Sequence, residues 1–539
     1  MDDSASPMST ADVIKDFADN ATTHGVPRIL RSDRSRLSRL TWAVITLTSL
    51  SALLYQGSNT VVDFFQRPTM SKIALITRKE LHFPSITICN LNMMRRSKLN
   101  GTRFEGLVDL DDQYAHLQNE STAHDSIDSV MDMMDMGFGD SSSEFTAFDS
   151  SQFPSSMSSQ SSSFMEMDYQ SWDGMKDPND WKCFYNRSQM SDFSDLQAVV
   201  KPYRDELDEY GQPSMDLIRQ CSFDTEPCSY KNFTKIQDIR YGNCYIFNQF
   251  KKSAVKTRST GSQYGLHLTL FVDEPEYIGV LSPTVGVIVT INHPSIFPFP
   301  EDDGILVSTG QVASIGLKRT YVSRLPKPYG DCGKGGEDYY APDKYDFSQR
   351  SCFKMCLERE MLKRCKCVTN ILVNGTICSP INKTQQKCRT EVFKKYIRNT
   401  LGCDCENPCD ENVYNARIST ARWPSERYEE HLYMRLSSKN DTAARFRPFK
   451  EHVGKNLVRL KIYFEKLNFE RVMETPLYTV ASLLGTIGGL MGLYIGMSVI
   501  SVGEILLLIF QVIRSTCRKN TRSKGTMAKG IQIPCQSFI

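Results

Sequence analysis

The sequence predicts a membrane protein in which two transmembrane helices flank one large, disulfide-rich extracellular domain. Three observations lead there: two long uncharged apolar runs, fifteen of the seventeen cysteines lying between them, and clusters of basic residues on their outer sides. Composition agrees. Hydrophobic residues make up 40% of the 539 and charged residues 23%, which excludes a disordered chain, while a mean hydropathy of −0.36 excludes a many-span transporter. With 64 Lys+Arg against 62 Asp+Glu the formal charge is +2, so charge gives no reason to expect nucleic acid as a partner.

Residues 1–39 form a polar segment rich in arginine near its end. Residues 40–62, Leu40 to Val62, carry no charge and at about 1.5 Å each are long enough to cross a hydrocarbon core of roughly 30 Å. The polar residues ahead of this run are unlike a cleavable signal peptide, which would start near residue 1. Residues 475–513 form the second run, with Glu504 as the only charged side chain. It exceeds a straight crossing, and Gly485, Gly488, Gly489, Gly492, Gly496 and Gly503 argue for a break or a close helix contact. The bland alternative is a buried core helix. Arg28, Arg31, Arg34, Arg36 and Arg39 precede the first run, and Arg514, Arg518, Lys519, Arg522, Lys524 and Lys529 follow the second. Both ends are therefore expected in the cytoplasm, with 514–539 as a basic tail, 63–474 outside, and the plasma membrane as the location.

The cysteines from Cys89 to Cys409 all fall in that middle segment, where an oxidising compartment favours disulfides. Cys332, Cys352, Cys356, Cys365, Cys367, Cys378, Cys388, Cys403, Cys405 and Cys409 include C-x-C pairs that could also be read as zinc ligands; disulfides are the preferred reading, and no metal or cofactor is expected. An odd total leaves one thiol over, with Cys183 the candidate. Glycosylation sequons at Asn100, Asn119, Asn186, Asn232, Asn374, Asn382 and Asn440 lie in the same segment, and Asn20-Ala-Thr shows that the motif also arises by chance. Residues 105–180 hold seventeen Asp or Glu against one Lys, with serine runs, and read as a flexible insertion whose carboxylates and aromatic groups could serve a ligand. There is no P-loop, no H-E-x-x-H and no G-x-S-x-G, so no catalytic residue and no enzyme activity is expected.

Several separated motifs resemble one superfamily, that of the degenerins, epithelial sodium channels and acid-sensing ion channels. They are His24-Gly25, Phe83-Pro84-Ser85-Ile86-Thr87-Ile88-Cys89-Asn90, Tyr241-Gly242-Asn243-Cys244-Tyr245, the cysteine series, Trp423-Pro424-Ser425, and Leu484-Gly485-Thr486-Ile487-Gly488-Gly489 running on to Gly496-Met497-Ser498. The likeness spans His24 to Arg514. It implies an α+β fold and a homotrimer, with a β-sheet core and a disulfide-ribbed stalk over 332–409. It also implies the pairs Cys89 with Cys244, Cys221 with Cys228, Cys332 with Cys409, Cys352 with Cys405, Cys356 with Cys403, Cys365 with Cys388, and Cys367 with Cys378. The last five would form a nested ladder locking two antiparallel segments, expected as helices near Ser351 to Lys366.

The same likeness implies gating roles for His24, Gly25 and Gly485, and an aromatic at Tyr329 that contacts the top of the first span. It makes Gly496, Met497 and Ser498 the selectivity filter. Three departures stand out: Met497 replaces a small residue, Thr486 replaces the aspartate of acid-sensing members, and Leu507 replaces a second pore carboxylate. A lone carboxylate in an apolar membrane helix costs roughly 2.5 to 3.5 kcal/mol, so Glu504 is expected to face water or a partner, and three copies would make a cation-attracting ring. A snorkelling or capping role is the alternative. The function implied is a sodium-selective, amiloride-sensitive channel in contact with membrane lipids. The chain looks most like invertebrate channels opened by an extracellular amidated peptide of the Phe-Met-Arg-Phe type. Proton-gated or constitutive conduction is the alternative within the superfamily, and a non-conducting two-span receptor or adhesion protein the alternative outside it.

Overall fold

The computed structural model describes residues 17, 24–30, 35–121, 200–201, 203–250, 254–335, 345–437 and 453–523. In chain order, helices α1 (Val26–Leu30) and α2 (Arg36–Gln66) lead to strands β1 (Thr69–Thr77) and β2 (Ser85–Asn90) and helix α3 (Glu105–Ser121). Helix α4 (Arg204–Tyr210) precedes β3 (Ile218–Phe223), β4 (Glu226–Cys228), β5 (Phe233–Asp238), β6 (Gly242–Phe247), β7 (Leu266–Phe271) and β8 (Gly286–Asn292). Then come α5 (Pro300–Asp303), β9 (Ile305–Ser308), β10 (Gln311–Ser323), α6 (Gln349–Cys365) and α7 (Lys383–Ile397). Strand β11 (Asp410–Arg422), helix α8 (Glu426–Ser437), strands β12 (Leu457–Phe464) and β13 (Asn468–Pro476), and helices α9 (Val480–Ile495) and α10 (Val499–Ser523) complete the order.

The chain divides into two compact units: residues 72–326 with 331–473, and residues 1–71 with 327–330 and 474–539. In the first, the larger sheet runs β1-β13-β10-β12-β7-β3-β4, with β11 also on β10. Strand β10 is its spine. One edge pairs antiparallel with β11 along all 13 residues, and the other takes β12 and then β13 in parallel. The smaller sheet runs β9-β8-β2-β6-β5. In β12, Val458, Leu460, Ile462 and Phe464 are buried, the period-2 pattern of a strand with one wet face, whereas β2 and β6 are buried throughout. Side chains from both sheets form one core, with Phe83, Ile86 and Ile88 against Leu268, Leu270, Ile315 and Leu460.

The acidic insertion is corrected at its start. Residues 105–121 form α3, because Leu107, Val108 and Leu110 fall on a buried helical face beside Phe104 and Ile278. The serine-rich remainder and Cys183 lie outside the described residues.

Seven disulfides join Cys89–Cys244, Cys221–Cys228, Cys332–Cys409, Cys352–Cys405, Cys356–Cys403, Cys365–Cys388 and Cys367–Cys378, the same pairs the resemblance implies. The first bridges directly opposed residues of β2 and β6, and the second closes the β3–β4 hairpin. In the ladder, helix α6 is present as expected, but the antiparallel partner of Cys352 and Cys356 is non-helical chain. The two spacings match: four helical residues rise about 6 Å and two extended residues about 6.6 Å. Cys352 and Cys356 therefore meet Cys405 and Cys403 rung for rung. Cys365–Cys388 then ties α6 to α7.

In the second unit, α2 is the one described helix long and apolar enough to cross a membrane by itself; α9 and α10 qualify together as a pair bent by 78°. Helix α2 outruns the uncharged stretch at both ends. Ser35 caps it by accepting a bond from the Ser38 amide at 3.3 Å, and Arg67 closes it in the left-handed region. Helix α9 packs on α2.

Replacing Cys356 by Ser should leave Cys403 as a free thiol and cost about 2–4 kcal/mol, because the bridge closes a long loop. Peptide mapping without reduction checks the order, and a Cys356–Cys365 linkage in the wild type would contradict the ladder.

Candidate functional site

The apolar run breaks at Gly496-Met497-Ser498, and each residue of the break has a backbone reason. Gly496 takes φ +69°, the left-handed conformation that glycine adopts without a Cβ penalty. Its amide donates to the Gly492 carbonyl at 3.1 Å, and the Met497 amide donates to the Met491 carbonyl at 3.2 Å. Two carbonyls at the end of α9 are thus satisfied. Ser498 opens α10: its Oγ accepts from the Ser501 amide at 3.4 Å, and its own amide donates to Ser501 Oγ at 3.2 Å, a reciprocal capping box. Met497 is half-buried and links the two caps through its backbone.

A second segment closes the elbow. The His24 amide donates to the Ile495 carbonyl at 3.1 Å, satisfying the last carbonyl of α9. A Cβ on Gly496 would fall on His24 Nδ1, and a Cβ on Gly25, which has φ +103°, would fall on Thr46 Oγ1 of α2. Both glycines are therefore required for the close approach of backbone to side chain. The segment is further held by Arg28 over the Trp42 ring at 4.3 Å and by Arg39 Nε donating to the Ile29 carbonyl at 2.8 Å. Sequence reasoning missed these two arginine contacts, since it read the basic residues only as topology signals.

The structure thus brings His24, Gly25 and Gly496 together and sets Glu504 nearly two turns beyond the elbow, half-buried on α10. Tyr329, in the loop Lys327–Gly330, belongs to the same compact unit as α2 and α9. Gly485 stands apart; the Cβ positions of Gly485, Gly488, Gly489 and Gly492 meet nothing within 4 Å among the described residues. Asn100, Asn232, Asn374 and Asn382 are exposed, whereas the side chains of Asn119, Asn186 and Asn440 lie outside the described residues.

A charged cluster in the sheet unit had no sequence signal, because its members come from distant segments. Asp238, at the end of β5, accepts from the Arg240 and Tyr241 amides at 2.8 and 3.0 Å. Burial and then the neighbouring Glu301 charge push its carboxyl up to about 6. Glu301 itself pairs with Lys354, which also reaches Asp302 at 3.0 Å, while Arg350 pairs with Asp303.

The chain thus combines a large disulfide-bonded α+β unit with apolar helices, one pair of them broken at a doubly capped elbow. The sequence profile of the amiloride-sensitive sodium channel family matches residues 17–508, and the chain belongs to that family. It is 27% identical to the epithelial sodium channel subunit beta-2 of Xenopus laevis, over 91% of this chain and 82% of that protein. Degenerin mec-10 of Caenorhabditis elegans is 31% identical over 56% of this chain and 42% of its own. Acid-sensing ion channel 4-B of Danio rerio is 25% identical over 94% and 77%. The family consists of plasma-membrane sodium channels and not of enzymes.

Gly25→Ala should cost about 1–2 kcal/mol in the left-handed backbone alone, before its clash with Thr46. Sodium current per channel at the surface should fall, and the double variant with Thr46→Ala should recover part of it by restoring room. Equal currents in wild type and Gly25→Ala would show that the approach to α2 is not needed.

Proposed function

We propose that the chain is one subunit of a homotrimeric, sodium-selective channel, with α2 and the broken α9–α10 pair as its two spans and residues 63–474 outside the cell. The capped break at Gly496–Ser498 carries this reading. A helix can be interrupted at membrane depth only where its backbone is satisfied or lines a wet cavity, and here the glycine cap, the serine cap and the His24 amide do the satisfying. Carbonyls not consumed by the caps then face the axis of the assembly, where they replace part of a sodium ion's hydration shell. Three copies of Glu504 form the acidic ring below them. The glycine face of α9, open in the single chain, supports close contact with a neighbouring subunit.

The finer reading is that an extracellular amidated peptide opens the channel and amiloride blocks it. Such a peptide carries an ammonium, a guanidinium and two rings, so it needs carboxylates and aromatic walls, which residues 105–180 supply in composition. Thr486 in place of an acidic residue favours a peptide over a proton as agonist. A second reading, opening by protons, gains support from Asp238, whose carboxyl is pushed up to about 6 by burial and then by the neighbouring Glu301 charge.

Glu504→Gln should lower conductance or sodium preference in oocytes expressing this chain alone, and unchanged values in both would remove the ring. Current evoked by an amidated peptide and absent with its free-acid form supports peptide gating; current evoked by acid steps alone replaces it with the proton reading.

The pH dependence of Asp238 has a definite sign. Its folded carboxyl lies above the ordinary value, so the native state holds a proton that the unfolded chain has released. The stabilisation is complete below about pH 4 and is lost as pH rises through about 6. Asp238→Asn should therefore flatten the fall in Tm between pH 5 and 7.5, an effect on the order of 1–2 kcal/mol after allowance for partial exposure. Full-length protein in detergent micelles is the sample, and an unchanged slope would assign the dependence to other groups.

A further inference from the structure

Helix α1 is too short to hold itself. Its five residues make about one and a half turns, far below the length at which an isolated helix is stable in water, so its place is set by what it touches. What it touches is one stripe of α2. Arg39, Trp42 and Thr46 stand three and then four residues apart, the spacing that puts side chains on one face of a helix. Along that stripe the preceding segment runs back in register. The Ile29 carbonyl accepts from Arg39 Nε at 2.8 Å, the Arg28 guanidinium lies over the Trp42 ring at 4.3 Å, and a Cβ on Gly25 would fall on Thr46 Oγ1. Thr46 Oγ1 in turn donates to the Trp42 carbonyl at 2.8 Å, which fixes the far end of the stripe.

That register delivers His24 to the elbow. Arg39 to Thr46 spans about 10 Å of α2, and the residue next to Gly25 is His24, whose amide donates to the Ile495 carbonyl at 3.1 Å. Helix α1 starts from the same point, since the Arg28 and Ile29 amides both donate to the Gly25 carbonyl at 3.1 Å. A shift of α1 along the stripe therefore carries Gly25 and His24 with it. We propose that Arg39 and Trp42 are positioning residues for the elbow: with Arg28 as the partner of the ring, they fix the depth at which His24 reaches the Ile495 carbonyl. Both act through His24 and not on the passage itself. Their bearing on sodium conduction rests on the reading that the elbow frames the passage; their bearing on His24 does not.

Amide hydrogen exchange of the full-length protein in detergent micelles, read by mass spectrometry on the peptide covering residues 24–30, tests the positioning without current. Arg39→Ala and Trp42→Leu leave that peptide's own sequence unchanged, and each should speed its exchange about two- to tenfold, the worth of one cation–ring contact or hydrogen bond. Arg39→Lys, which keeps a donor, and Trp42→Phe, which keeps a ring, should restore most of the protection. Arg36→Ala removes the same charge from the same end of α2 at an exposed position and should change nothing. Trp42→Leu keeps apolar bulk in the helix and serves if Arg39→Ala fails to fold. In oocytes, the preference for sodium over potassium should fall in Arg39→Ala and Trp42→Leu and recover in Arg39→Lys and Trp42→Phe, a split that a simple loss of folded protein would not produce. Wild-type exchange in both Arg39→Ala and Trp42→Leu, or equal acceleration in Arg36→Ala, would overturn the positioning. Faster exchange with wild-type sodium preference upholds the positioning and refutes instead the elbow as the selective passage.

Discussion

Unpaired backbone is the constraint on which the unit of α2, α9 and α10 depends. A helix stopped inside an apolar run leaves its last carbonyls without partners, and each costs several kcal/mol where water cannot reach it. The chain meets this from three directions: Gly496 turns the end of α9 back on itself, Ser498 restarts the ladder, and His24 reaches in with its amide. The third device ties residues far apart in sequence, so the segment before α2 and the break after α9 cannot shift independently. Gly25 and Gly496 are small because their neighbours occupy the space a Cβ would need.

A different constraint, commensurate spacing, organises the sheet unit. One helical turn and two extended residues advance nearly the same distance, which is compatible with α6 being bridged at Cys352 and Cys356 to the antiparallel non-helical run that carries Cys405 and Cys403. That run leads into β11, which pairs with β10 along its whole length, and β10 in turn carries β12 and β13. The ladder is thus continuous with the sheet's spine.

Much of this was legible in the sequence, for physical reasons that differ by residue. The apolar runs, the break and the oxidised segment announce themselves through charge, glycine and cysteine placement, since each property acts locally along the chain. The disulfide pairs became legible only through the family resemblance, because spacing alone leaves many connectivities open. Helix α3 was missed: the acidic, serine-rich average of residues 105–180 hid the apolar face formed by Leu107, Val108 and Leu110. The Asp238, Glu301 and Lys354 cluster was invisible for a deeper reason. Its members are separated by dozens of residues and meet only after both sheets and α6 are in place.

Met497 shows how a departure from a motif can leave its physics intact. The elbow needs a residue free to take a positive φ at its first position and a hydroxyl able to cap a helix at its third, and Gly496 and Ser498 supply both. The middle residue contributes an amide to the Met491 carbonyl, and any residue but proline has that amide to give. A small side chain at the middle position is therefore not required by the break itself. Met497 is unbranched, flexible and polarisable, so it can fold against its neighbours more readily than a β-branched residue of similar bulk. The backbone device is thus fixed by Gly496 and Ser498, with no demand on the size of the side chain between them.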